Sequence, residues 1–401
     1  MERGHALRRY LAGAVAARIG DEMSGPALML AGFALTGSAA DAASLLAALT
    51  SAAAVGGPLL GVLLDRAARP GHLLAGALLL YAAGLGATLL ALGRSPLALT
   101  LLIAVVTGLL GPAVSGGWTA QVPRVAPDGD RLPRANALDA MTFSAASLAG
   151  PALAGGLAEV AGAPTAVVVA VLLIASALPA AWLLPARPAR VQAAGPASVL
   201  GALVAGVRVI LARRALARAT LSTTVSCTAQ GMLLACVPLL GERAMGGAGR
   251  GALLLSCAAV SALAAGAVLA RLPRAVAPDT VLWASALVQC AALTLASWGE
   301  PAPLVVAALV LGIGEGPQLA ALFAVRHREA PEHLRSQIFT TGASLKITGF
   351  ALGAAVGGPL ATWSLPGTTA LAAGVALLAA VAFFAVPPAT GEAPGSGAGP
   401  R

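Results

Sequence analysis

Apolar residues fill this chain in long blocks, each closed by a short break rich in arginine, proline or glycine. Twelve blocks can be drawn, at 10–35, 42–64, 71–92, 96–118, 137–159, 163–185, 217–240, 250–270, 279–298, 302–325, 336–362 and 367–387. A helix of about 20 residues, rising ~1.5 Å per residue, crosses a hydrocarbon core of ~30 Å. In lipid every backbone N–H and C=O has to be bonded within its own segment, which a helix achieves alone and a strand does not. The many Gly and Pro residues fit, since both are common in membrane helices.

The blocks fall into two sets of six. Gly61-Val62-Leu63-Leu64-Asp65-Arg66-Ala67-Ala68-Arg69 joins segments two and three. Gly266-Ala267-Val268-Leu269-Ala270-Arg271-Leu272-Pro273-Arg274 follows 205 residues later, between segments eight and nine. The glycine and both arginines recur; the acid does not. Gly111-Pro112 and Gly316-Pro317 keep the same offset. The expected fold class is therefore all-α integral membrane, with twelve transmembrane helices in two pseudo-symmetric six-helix bundles. The division reads as residues 1–185 for the first half, 186–216 for a central loop, 217–387 for the second half and 388–401 for a disordered tail. Within the loop, Leu200, Leu203, Val207, Ile210 and Leu211 recur at helical spacing beside Arg208 and Arg213, the pattern of a helix lying in the membrane interface.

Composition agrees. The chain is 58% hydrophobic and 10% charged, against about 25% charged for soluble domains. Of its 25 Lys and Arg, twenty lie at the termini and in alternate loops, three (Arg94, Arg243, Arg250) in the intervening loops, and two (Arg18, Lys346) inside segments. The positive-inside rule then places both termini in the cytoplasm of a cell that keeps this protein in its inner membrane. The net charge of +9 reports this topology and contact with anionic lipid, and no basic face is clustered for nucleic acid. Arg18, Asp21 and Glu22 interrupt the first block, so it reads as a retained helix and not a cleaved leader. The four cysteines lack metal-ligand spacing and read as small buried hydrophobes. Trp118, Trp283 and Trp298 lie towards segment ends and read as interfacial anchors.

Twelve segments, the central loop and the Gly61, Asp65, Arg66, Arg69 motif together resemble the Major Facilitator Superfamily over nearly the whole chain. Gly150-Pro151 followed by Gly155-Gly156 is similar to the Gly-Pro signature of its exporters, and Pro133-Arg134-Ala135-Asn136-Ala137-Leu138 resembles the branch that includes macrolide and siderophore exporters. The resemblance implies rocker-switch transport with substrate bound between the halves, and a gating role for the Gly61-to-Arg69 motif and for Gly150-Pro151. Many drug:proton antiporters of the superfamily have an arginine in helix four, whereas here no basic residue lies between Arg94 and Arg124. Any proton relay must use another arrangement.

Charges at membrane depth are costly and usually pair or line a cavity. Arg18, Asp21 and Glu22 are spaced i, i+3, i+4 on one face of segment one. They are expected either to bind protons, with Arg18 tuning a neighbouring acid, or to form a self-neutralised packing cluster. Glu315 and Lys346 lie at matching depth on consecutive segments and are expected to pair or share a proton. Lys346 is the only lysine, and buried lysine can change protonation where arginine cannot. Asp65 can accept from nearby arginines or sit at the positive end of another helix. Asp139, just inside segment five, is a weaker candidate for the proton-coupling site and otherwise caps the segment or contacts Arg134. Asn136 accompanies it there, and Gln121 and Gln318 either line the cavity or hold helices together.

The function expected is secondary active transport without enzymatic chemistry or cofactor: proton-coupled efflux of a small amphipathic compound, such as a drug, antibiotic or siderophore-like metabolite. The carrier is expected to be monomeric, with protons and the bilayer as its other partners. A facilitator or importer is the alternative, and a non-transporting sensor or scaffold a remote one.

Overall fold

The protein was analysed as a computed structural model, which describes residues 2–126, 131–186, 198–246, 251–271 and 276–386. The expected disordered tail, Arg250, Arg274 and most of the first half of the central loop lie outside the described residues. Twelve long helical segments follow in order: α1 (Glu2–Thr36), α2 (Ala39–Arg66), α3 (Pro70–Ala91), α4 (Leu97–Thr119), α5 (Arg131–Ala161), α6 (Ala163–Trp182), α7 (Arg214–Met245), α8 (Gly251–Arg271), α9 (Pro278–Ala296), α10 (Pro301–Glu329), α11 (Arg335–Trp363) and α12 (Leu365–Ala385). A shorter linker helix, Val199–Ala212, precedes α7. Eleven of the twelve are long and apolar enough to cross a membrane. α1 is the longest at 35 residues, but Arg18, Asp21 and Glu22 lower its hydropathy.

Segment four departs from its expected continuity. α4 runs as an α-helix only to Gly108, then turns through a short 3-10 stretch, Gly111–Ala113, before a last turn at Gly116–Thr119. Pro112 offers no N–H to the ladder, and the neighbouring glycines hold the helix weakly. α10 stays helical through its equivalent Pro317, where helical neighbours pack on both sides.

The two halves repeat one packing plan. α1 packs on α5 and α6 as α7 packs on α11 and α12; α2 on α4 as α8 on α10; α3 on α4 and α6 as α9 on α10 and α12. Adding six to each helix of the first bundle gives the second, the structural counterpart of the 205-residue echo in the sequence. The first bundle is knit by Tyr10, Met23, Leu45, Leu78, Trp118 and Ile174. Outward-facing side chains such as Leu102, Leu352, Leu378 and Phe384 are exposed and apolar, as a lipid-facing surface requires. Trp118 is fully buried against Gly13 and the Tyr10 ring, not an interfacial anchor.

The ends of the bundles differ. Arg66, Arg131, Arg214, Arg271 and Arg335 all fall at helix termini on one side, hereafter the arginine-rich side. On the far side the connections are tight: Gly37, Gly93, Gly162, Gly246 and Gly299 follow α1, α3, α5, α7 and α9 with positive φ, a conformation that glycine adopts without strain.

The linker helix lies across the arginine-rich end with Ala202, Gly206 and Ile210 buried. Its exposed apolar row is Leu200, Val204, Val207 and Leu211. Ile210 thus faces protein and not the bilayer surface, because it packs with Leu216, Leu334 and Ile338.

Candidate functional site

The halves meet at two seams, and both use the repeated motif. In the first, α2 lies along α11. Gly61 faces the Gln337 backbone and the Thr340 hydroxyl so closely that an added Cβ would sit 2.9 Å from the Gln337 nitrogen. One turn on, both carboxylate oxygens of Asp65 accept backbone N–H groups at the start of α11, from Ser336 at 2.9 Å and Gln337 at 2.8 Å. These are unsatisfied donors at the positive end of a helix dipole, which a buried carboxylate completes. Asp65 thus takes the helix-terminus role open to it from sequence. Ser344 adds a 2.6 Å bond to the Ala53 carbonyl, and Gln121 reaches Ser336 at 3.5 Å. Gln121 therefore belongs to this seam. Gln337 also donates to Leu203 at 3.1 Å and so ties the linker helix to it. Arg66 and Arg69 lie exposed beside the seam.

In the second seam, α8 lies along α5. Gly266 meets the flexible Met141 side chain, and Ala270, which replaces the acid, packs in an apolar cluster with Ala137, Ala140, Phe323 and Phe339. One seam is latched by a charge and the other, among the described residues, by packing. Both lie toward the arginine-rich side, which is therefore closed. Gly61→Leu is expected to abolish transport while leaving thermal stability close to wild type, because the leucine obstructs only a contact between halves. Flux and melting temperature measured on the same purified variant check this.

Above the seams lies a cavity of about 580 Å³ lined by α1, α2, α3, α4, α5, α7, α10 and α11. Its size is typical of small-molecule sites. Arg18, Asp21, Glu22, Arg326 and Lys346 supply its charged groups, and its polar lining includes Tyr81, Ser147 and Gln230. The seams lie between it and the arginine-rich side, so it faces the far side. Phe143 and Phe323, with ring centroids 5.7 Å apart, and Phe339, 5.9 Å from Phe323, form an aromatic layer by the second seam. The 3% aromatic content gave no sign of this, because folding gathers phenylalanines from three distant helices.

The three charges of α1 diverge. Arg18 is 2% exposed and turns to α5, where it bonds Asp139 Oδ1 at 2.9 Å and the Asp139 carbonyl at 3.0 Å. It also contacts the Thr142 hydroxyl, reaches Thr119 at 2.8 Å and stacks 3.7 Å over Phe143. Tyr10 and Thr119 each donate to Asp139 at 2.8 Å. Asp139 is thus the counter-ion of Arg18, neither a helix cap nor a partner of Arg134. Asp21 turns instead to α3 and accepts from the Tyr81 hydroxyl at 2.6 Å. Glu22 turns to α5 and accepts from Ser147 at 3.5 Å. Pro26 and Pro151 stand four residues after Glu22 and Ser147 and remove the N–H groups that would bond those carbonyls, loosening both helices where they face one another. Gly150 permits this approach, since its missing Cβ would lie 2.5 Å from that of Glu22; Pro151 itself is exposed.

Among the described residues no ion pair joins Glu315 to Lys346. The two interact electrostatically, but only Lys346 lines the cavity, and Glu315 is half-buried on α10. Gln318 lies in the packing of the second bundle, accepting from Gln289 at 3.0 Å and donating to Ser226 at 3.1 Å. Asn136 lines a separate recess between α5, α8, α9 and α10. Arg326 and His327, placed by sequence in a cytoplasmic loop, are instead 2% and 6% exposed. α10 continues to Glu329 because the next helix breaker is Pro331, and Val325, Arg326 and His327 in its last turns are buried. Arg326 lines the cavity. Only its position after a long apolar run hinted at this.

A cavity between two quasi-equivalent six-helix bundles, closed at one end by contacts between them, defines a membrane transporter of the alternating-access class. The chain belongs to the Major Facilitator Superfamily, whose family model matches residues 10–339. It is 28% identical over 295 residues, 71% of each chain, to an uncharacterized MFS-type transporter, y4rN, of Sinorhizobium fredii (strain NBRC 101917 / NGR234). Its fold is similar to that of the human organic anion transporter MFSD10 (TETRAN), with a TM-score of 0.76, 15% identity and coverage of 96% of this chain and 100% of that one. It is also similar to a bacterial homologue of the iron transporter ferroportin in an outward-facing state (TM-score 0.72, 16% identity, coverage 95% and 98%). The E. coli fucose:proton symporter FucP follows (TM-score 0.69, 17% identity, coverage 96% and 98%). It is a multi-pass membrane transporter working by alternating access.

Proposed function

We propose that this protein is a proton-coupled exporter of a small amphipathic compound, captured here open to the outside. The supporting observation is the setting of Asp21 and Glu22. Both line the cavity, each is held by a neutral hydroxyl, and among the described residues neither makes an ion pair. A carboxylate with a neutral partner takes up and releases a proton without breaking a salt bridge, unlike Asp139, which is salt-bridged to Arg18. With the arginine-rich side in the cytoplasm, the closed seams face inward and the carboxylates meet external protons. Closure of the far side over a protonated pair would carry them inward and expose the cavity to its cytoplasmic substrate. The apolar wall and the aromatic layer suit an amphipathic molecule, and transport needs only a monomer and its bilayer.

Reconstitution in liposomes with an imposed pH gradient and a panel of amphipathic compounds tests this. Substrate addition is expected to drive proton movement opposite to the substrate. The double variant Asp21→Asn, Glu22→Gln is expected to lose that proton movement while keeping substrate exchange down its own gradient. Proton movement in the same direction as substrate, or unaltered coupling in the double variant, overturns the reading.

A further inference from the structure

The cavity is polarised. Its acids, Asp21 and Glu22, stand on α1 of the first bundle, and two of its cations, Arg326 and Lys346, stand on α10 and α11 of the second; neither makes a salt bridge among the described residues, although Glu315, outside the cavity, acts electrostatically on Lys346. Arg18 is the one lining cation with a salt-bridge partner among the described residues, Asp139. Arg326 is the exceptional group. Its side chain is 2% exposed, yet Nε and Nη2 are buried without a hydrogen-bond acceptor. Its one aromatic neighbour is the Phe339 ring, 5.7 Å from the guanidinium carbon. The guanidinium fits only because Gly342 has no side chain, an added Cβ there meeting Nη1 at 2.9 Å as well as the nearer Nη2 and Cζ atoms. Cys227, Arg326 and Lys346 line the same cavity, and Cys227 lies within electrostatic reach of both cations and of Glu315.

A buried charge without a counter-ion is strongly unfavourable, and membrane proteins keep one chiefly where it meets a substrate or an ion. We infer that Arg326 and Lys346 form an anion subsite, so that the transported compound is an amphipathic organic anion whose carboxylate or similar acidic group docks there. Its apolar body lies against Phe143, Leu319, Phe323, Ile347 and Phe350. A guanidinium grips a planar carboxylate through two parallel N–H donors, which arginine does and lysine does not. The inference names the substrate class of the proposed carrier and rests on that reading only for the cavity being the transport site.

Binding measured at equilibrium, with no gradient, separates this inference from proton coupling. The protein in nanodiscs of phosphatidylcholine is titrated with three matched probes: naphthylacetate, its neutral amide naphthylacetamide and the cation naphthylethylamine. Naphthylacetate is expected to bind saturably, the amide roughly 10- to 100-fold more weakly, as loss of a charged hydrogen bond dictates, and the amine least. Arg326→Met and Lys346→Met should each weaken naphthylacetate and leave the amide unchanged. Gly342→Ala, which keeps the guanidinium but displaces it, should weaken naphthylacetate in a folded protein even where Arg326→Met does not fold. Tighter binding of the amine, no saturable binding of naphthylacetate, or an unaltered affinity in the folded variants overturns the subsite. So does loss of naphthylacetate binding on adding phosphatidylglycerol, which assigns the subsite to acidic lipid headgroups. A protein that binds naphthylacetate but shows no proton movement keeps the subsite and loses the coupling.

Discussion

Asp65→Ala is expected to release the arginine-rich side of the transporter and shift it toward the opposite, inward-open state. The carboxylate is 6% exposed and accepts two backbone N–H groups at the start of α11. Alanine leaves those donors facing an apolar gap while the halves stay closed, whereas opening returns them to water. Losing charge-assisted hydrogen bonds of this kind costs about 2–3 kcal/mol, or roughly 30- to 150-fold in the ratio of closed to open forms. Spin labels at Ala68 and Glu332, both exposed and on opposite sides of the seam, report the change in a background lacking the native cysteines. The distance distribution is expected to gain a long component, and transport to fall sharply because the outward-facing state is depopulated. Asp65→Asn should lie between, since an amide oxygen accepts one N–H but carries no charge for the helix dipole. An unchanged distribution with full transport would mean that packing at Gly61 alone holds the seam. The second seam sets the comparison: Ala270→Asp adds an acid where the fold has built an apolar cluster, and no latch is expected to form.

The second large effect concerns Arg18 and Asp139. Removing either leaves a buried charge amid Thr119, Thr142, Tyr10 and Phe143 with no counter-ion, and breaking such a pair costs about 3–5 kcal/mol. Arg18→Met or Asp139→Leu alone is expected to lower the melting temperature strongly and to reduce the yield of monodisperse protein. The double variant, which removes both charges and fills the space, should recover most of that stability, as replacing a buried pair by apolar groups often does. Its transport then shows whether the pair serves only packing of α1 on α5. Full transport in the stable double variant would confine it to structure. A single variant as stable as wild type would contradict the geometry. Asp21 and Glu22, although neighbours of Arg18 in sequence, are expected to give the opposite pattern: small effects on stability and large effects on coupling.

How much of this was legible beforehand varies with the range of the interaction. The twelve helices were readable because lipid imposes one rule on every segment, an apolar run long enough to bond its own backbone. The two-half plan was readable because the echo of Gly61, Arg66 and Arg69 at Gly266, Arg271 and Arg274 is written in register. Asp65 and Gly61 were marked as candidates for a gate, but their partner, the first turn of α11, lies 271 residues away from the acid and was not legible. The charged trio of α1 was marked, but the partners of each charge were not legible. Spacing i, i+3, i+4 puts side chains on one face, yet that face touches α3 on one flank and α5 on the other, and the two acids and the arginine part company there. Glu315 and Lys346 were matched by depth alone. Depth fixes one coordinate, and rotation about each helix axis, which packing sets, left Glu315 outside the cavity. Arg326 was missed as a site residue because an arginine just past an apolar run reads as a topology anchor.

The sequence by itself determined that the chain crosses the membrane, how many times, which ends carry the arginines, and that its halves share an ancestry of shape. Those properties follow from local composition, which acts on each segment without regard to the others. Only the tertiary structure decided which charges meet. Asp139 pairs with Arg18, the α11 terminus satisfies Asp65, and Arg326 makes no salt bridge among the described residues. Each outcome depends on the rotation and tilt of helices that are far apart in the chain, and those are set by small-residue contacts such as Gly61 on Gln337 and Gly342 under Arg326.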